Sequence, residues 1–267
     1  MKQIVWRELR DRKWSLLAYC LGSLLMLWLY VATYESSKNS SAQLQELVKT
    51  YPKAFLEAVG LGNLTLNTVE VYLNAKHFSL LWPLIAIVLA LSRAGNQIAG
   101  EVQSGTMGLL LALPLERWRI FAAKYAAGLA TIIIFTGVSV FGVIPLAAAY
   151  NIPTHLNILF PAWIITTLFM WVVYSVALMV SSWVSEKAQV YAVVGVVLLA
   201  TYLAYIVSLI ETSVDWLKYY SLFYYFNTQE VLATGHISKE TYLAFGVTII
   251  LSTAIAAWRF NKRDVSV

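Results

Sequence analysis

The sequence predicts an all-α polytopic membrane protein: six transmembrane helices, a cytoplasmic helix between the second and third, and interfacial or re-entrant helices outside. Three observations lead there. Of the 267 residues, 60% are hydrophobic and only 12% charged, against roughly 25% charged in a soluble domain. Several uncharged runs approach the roughly 20 apolar residues that a helix needs to cross a bilayer core. Lysine and arginine gather in alternate connections. These bounds leave room for one membrane domain over residues 1–267 and none for a soluble catalytic domain.

Each element follows in order. Residues 1–13 set Ile4, Val5 and Leu9 against Lys2, Arg7, Arg10, Arg12 and Lys13, the pattern of an amphipathic helix on the inner leaflet. No signal peptide is expected there. Trp14 to Tyr34 forms the first span. His77 to Ser92 forms the second, extended through Arg93 by snorkelling of that long side chain. Tyr125 to Ser185 carries no charge and holds two spans, broken at Tyr150-Asn-Ile-Pro-Thr154. Ala188 to Ile210 is the fifth span and Thr241 to Trp258 the sixth.

Two outer segments are more than linkers. In residues 35–76, Leu44, Leu47, Val48, Tyr51, Phe55 and Val59 recur at helical spacing. Pro52 begins a second short helix there, and Gly60 and Gly62 end it. In residues 211–240, the run Trp216 to Phe226 is too short to cross and rich in tyrosine, as expected of an interfacial or re-entrant element.

Charge sets the orientation. With the N-terminus inside, the inner segments hold thirteen cations: Lys2, Arg7, Arg10, Arg12, Lys13, Arg93, Arg117, Arg119, Lys124, Lys187, Arg259, Lys262 and Arg263. The outer ones hold six: Lys38, Lys49, Lys53, Lys76, Lys218 and Lys239. Both termini are therefore expected in the cytoplasm, and the net charge of +5 reflects topology rather than nucleic-acid binding.

Reactive chemistry is sparse. The single cysteine, Cys20, lies in the first span, which excludes a disulfide framework. His77, His155 and His236 fall far apart at outer span ends, with no H-E-x-x-H pair. The serine in Gly137-Val-Ser-Val-Phe-Gly142 lacks a G-x-S-x-G frame, and its small residues suit helix packing. Every Asp and Glu maps to a span end or loop, which disfavours an ion-coupled carrier. No P-loop is present either. No internal repeat is evident, as an inverted-repeat carrier would need. What remains is a membrane path without an engine, and an unusual stretch at residues 94–119. Its acid, glycines, leucine run, proline and base fit neither a bare loop nor a span. They fit a surface helix placed to meet another protein.

The whole chain resembles a permease subunit of a type-2 ABC transporter. The resemblance rests on Glu101-x-x-x-Gly105-Thr106-x-x-x-Leu110-Leu111-x-x-Pro114-x-x-Arg117, with Lys124 after it. The tail Arg259-Phe-Asn-Lys-Arg-Asp264 and the outer stretch Pro52 to Gly60 add to it, the latter resembling permeases of copper maturation and lantibiotic immunity. Gln97 and Ala99 depart from an otherwise charged approach to Glu101. The resemblance implies a homodimeric or heterodimeric export permease in a bacterial-type plasma membrane, energised by a separate cytoplasmic ATPase that carries ATP and magnesium. No cofactor is expected in this chain. Partners would be that ATPase, a second permease and membrane lipid. Gly95 to Leu113 would be the coupling helix, with Glu101, Gln103, Ser104, Gly105, Thr106, Pro114 and Arg117 as ATPase-coupling residues. Arg93, Arg119 and Lys124 would anchor the inner face at the headgroups. A non-transporting scaffold or sensory subunit and a secondary carrier are the rival readings.

Overall fold

A computed structural model describes residues 2–39, 68–112 and 114–263. The helices predicted around Pro52, the last residue of the Gly95–Leu113 stretch, and Asp264 of the tail lie outside them. Among the described residues the chain is helical, without strands. A short helix α1 (Lys2–Asp11) leads into the first span, α2 (Lys13–Asn39). The second span is bent. A short arm, α3 (Val69–Leu73) with a π-helical turn (Asn74–Phe78), meets α4 (Leu81–Gln97) at 54°. Two short helices follow, α5 (Ala99–Gln103) and α6 (Thr106–Leu111). The third span is α7 (Arg117–Phe141) continued by α8 (Val143–Ala149). Then come the spans α9 (Leu156–Trp183) and α10 (Lys187–Ile210). A 3-10 helix (Thr212–Tyr220), α11 (Leu222–Tyr225) and α12 (Thr228–Thr234) precede the last span, α13 (Lys239–Lys262).

Local chemistry sets these limits. Pro145 has no N–H for the Phe141 carbonyl, which separates α7 from α8 without ending the span. Asn151 takes the left-handed turn (φ 55°) predicted between the third and fourth spans. Ser238 caps α13 by accepting from the Thr241 N–H at 3.3 Å, and Arg259 and Lys262 stand in its last turn, where cations suit the helix dipole.

The fourth span is the axis of the bundle. The apolar stretch of α9 is 61% buried, against 17% for α10, whose Val196, Leu199, Leu203 and Ile210 point outward. In α9, Phe169, Met170, Val173, Tyr174 and Ala177 pack against α4, α7 and α13. An aromatic stack crosses the layers: Phe169 on Phe226 (4.2 Å), Phe226 on Trp82 (6.0 Å) and Trp82 on Phe135 (6.1 Å). Phe226 comes from the tyrosine-rich outer segment, so that segment is pinned to the core. Gly128 of α7 lies against the Tyr174 hydroxyl with no space for a side chain between them.

The structure corrects three expectations. The stretch Gly95–Leu113 is not one helix: Gly95 to Gln97 complete the second span, and left-handed Gly105 (φ 73°) divides α5 from α6. Arg93 and Lys124 do not stand free at the surface: they are 4% and 1% exposed and bond to polar partners inside the bundle. Glu70, in the predicted outer segment 35–76, stands in helix α3 and is fully buried.

Candidate functional site

The end of the bundle that carries both termini gathers the predicted motif into one polar assembly. Lys124, in the second turn of α7, lies between two carboxylates. Its Nζ is 2.7 Å from Glu8 Oε1 of α1 and 2.8 Å from Glu101 Oε1 of α5. The acids are 15% and 16% exposed, so water screens this triad little. An ammonium has three donors, and two are used on elements far apart in sequence. Burial pushes the Glu101 carboxyl above the usual carboxylate range, and Lys124 opposes that shift. Glu101 Oε2 is buried and has no partner.

The backbone around Lys124 is tied inward. Gln97 Nε2 donates to the Lys124 carbonyl (2.8 Å), and Tyr174 Oη donates to Gln97 Oε1 (2.6 Å). Gln97 is therefore the joint between α4, α7 and α9. Arg93 donates to Thr131 Oγ1 (2.6 Å) and to the Glu8 carbonyl (3.5 Å). The Ala99 N–H donates to Ser181 Oγ (3.0 Å), fixing the start of α5 against α9.

The rest of the motif faces outward. Thr106 and Ser104 hydroxyls donate to the Glu101 carbonyl at 3.4 and 3.3 Å and meet each other at 3.0 Å, which holds the turn at Gly105. Exposed Gln103 accepts from the Lys187 N–H (3.3 Å), so the connection before α10 shares this surface. On α6, Met107 and Leu110 are buried and Leu109 is 75% exposed. Pro114 is exposed. Arg117 donates to the Asn261 and Arg263 carbonyls (3.2 and 2.7 Å), closing the C-terminal end of α13. Arg263 in turn donates to Ser181 and Ser182 carbonyls at the end of α9. Arg119 pairs with Glu116 at 2.9 Å on the surface. A cavity of about 530 Å³ opens between α1, α5 and the start of α10, lined by Arg7, Arg12, Gln103, Ser104, Thr106 and Lys187 beside the two acids.

Glu101, Thr106 and Lys124 are thus brought together, with Gln103 and Ser104 on the rim. Arg117 and Arg119 lie apart from the triad. Sequence reasoning missed Glu8, Gln97, Tyr174 and Arg263. An acid within a basic amphipathic helix marked Glu8, and the uncharged Gln97 before the motif marked a neutral joint. Nothing in the pattern marked Tyr174. Among the described residues, no group of three His, Cys, Asp or Glu side chains can hold a metal ion.

Five apolar helices, or six with the bent pair, are long enough to cross a membrane. The fold is that of a multi-pass membrane protein. The sequence profile of the ABC-2 family transporter proteins matches residues 2–265, and the chain belongs to that family. It is a permease, the membrane subunit of an ABC transporter. No protein of curated function matches it in sequence.

Proposed function

We propose that the chain is an export permease driven by a separate cytoplasmic ATPase that docks on α5, α6 and the adjoining cavity. One observation carries the reading. Glu101, on the short outward-facing helix α5, is bonded to a lysine that belongs to a span. A force applied to α5 is thereby delivered to α7 through a buried, weakly screened contact. The same lysine holds α1, so the N-terminal helix moves with the pair. Two permeases would frame the path, with their remaining apolar faces toward lipid in a bacterial-type plasma membrane and both termini inside.

Crosslinking of the assembled complex tests this. In a Cys20→Ala background, cysteines at Ser104 and Leu109 should trap the ATPase, and one at Lys218, on the outer segment, should not. Trapping only from Lys218→Cys would reverse the orientation. No trapping from any of the three would favour a scaffold without an ATPase.

A further inference from the structure

The opposite end of the molecule holds buried polar atoms without partners. Glu70, Asn74 and His77 stand on successive turns of the arm formed by α3 and its π-helical turn. Glu70 and His77 are 0% exposed, and Asn74 is 2% exposed. Glu70 Oε1 accepts from the His155 backbone N–H (2.8 Å) and meets His155 Nδ1 (3.1 Å). Its Oε2 remains buried and unpartnered. Asn74 Oδ1 and both ring nitrogens of His77 are in the same condition. Folded proteins pair nearly all such atoms, so several on one short arm point to a ligand.

The backbone is unusual at the same place. The Asn74 carbonyl accepts from the Ser79 N–H (3.0 Å) and hydroxyl (2.8 Å), which makes the turn π-helical, and the span bends by 54° just beyond it. Such turns concentrate at functional sites, and ionisable groups inside a membrane domain are seldom there for packing alone. Aromatic rings flank His77: Tyr30 and Phe78 lie 5.9 and 5.0 Å from its ring. The Trp82 N–H, on α4 beyond the bend, is also unpartnered, and its ring lies 6.1 Å from that of Phe78.

Chemistry narrows the ligand. A carboxylate repels an anion. An apolar group would leave every acceptor unsatisfied. A divalent metal would need more ligating groups than the described residues bring together. A primary ammonium carries one positive charge and three N–H donors, matching a carboxylate oxygen, an amide oxygen and an imidazole nitrogen. We infer that Glu70, Asn74 and His77 form a binding site for the primary ammonium group of an amphipathic molecule. As a substrate site this rests on the permease reading; binding itself does not.

The test uses the full chain purified in detergent, without ATPase or ATP, so its failure is separate from failure of the transporter reading. Calorimetric titration compares octylamine with octyltrimethylammonium, which has the charge but no N–H donors. Octylamine should bind about tenfold more tightly or better, the difference that a lost charge-assisted hydrogen bond produces. Glu70→Gln and His77→Phe should each remove that preference while retaining the wild-type elution profile. If Glu70→Gln misfolds, His77→Phe and Asn74→Leu carry the test. Equal affinity for the two amines, or a preference untouched by these variants, would overturn the site. Bilayer discs containing phosphatidylethanolamine or phosphatidylcholine identify the source. Preferential retention of phosphatidylethanolamine assigns the amine to a lipid headgroup, and a preference confined to octylamine assigns it to a non-lipid molecule.

Discussion

Lys124 is 1% exposed and faces two carboxylates, so its removal leaves like charges buried together. Lys124→Met should destabilise the protein by about 3–5 kcal/mol, the cost of breaking a buried pair from one side. Adding Glu8→Gln and Glu101→Gln should recover most of the loss, read as thermal unfolding in detergent. Failure of the triple variant to recover would mean that the triad does not set stability. Glu101 also carries a pH signature. Its folded-state carboxyl lies above the usual range because burial outweighs Lys124, so the folded protein holds that proton more tightly than the unfolded chain. The associated stability is present below the unfolded-state pKa and is lost as pH rises through the folded one. Relative to Glu101→Gln, the wild type should therefore gain thermal stability as pH falls through that window. A difference in melting temperature that is flat with pH would contradict the assignment.

At the level of elements, the motif is broken into two helices at Gly105. Gly105 holds φ 73° with no atom within 4 Å of an added side chain, so Gly105→Ala acts through backbone strain alone, roughly 1–2 kcal/mol. The change should shift α6 relative to α5 and lower the ATPase rate of the copurified complex several-fold, while lowering its melting temperature by only a few degrees. An unchanged rate would mean that the angle between these helices is irrelevant to coupling. Gly128→Ala is the contrasting case. It meets the Tyr174 hydroxyl and separates α7 from α9, so it should lower stability and rate together.

At the scale of the molecule, ion pairs and hydrogen bonds divide the bundle into two polar ends. One carries the termini, α5 and α6; the other carries Glu70, His155 and the tyrosine-rich segment. The proposed function, with the positive-inside pattern, puts the first in the cytoplasm. In a Cys20→Ala background, cysteines at Lys218 and Lys239 should react with an impermeant thiol reagent from outside intact cells. Cysteines at Ser104 and Lys187 should react only after permeabilisation. The reverse pattern would invert the orientation and move ATPase docking to the other end.

The apolar runs that form the spans and the break at Asn151 were legible in the sequence, because an apolar run of bilayer length and a proline or asparagine turn act locally. The position of the motif at residues 101–117 was legible for the same reason, since charges and glycines interrupt apolar runs visibly. The partners of its residues were not. Glu101 meets Lys124 twenty-three positions away and shares it with Glu8 from the other end of the chain, a choice made by the packing of α1 and α5 on α7. Arg93 and Lys124 read as headgroup anchors because a long basic side chain near a span end ordinarily snorkels. Only the tertiary structure supplies the buried acceptors that keep them inside. Glu70 fell in the outer segment 35–76 because its short arm has too few apolar residues to register as a span. Its burial depends on α3 folding back at 54° against the bundle, and that contact with distant helices has no local pattern.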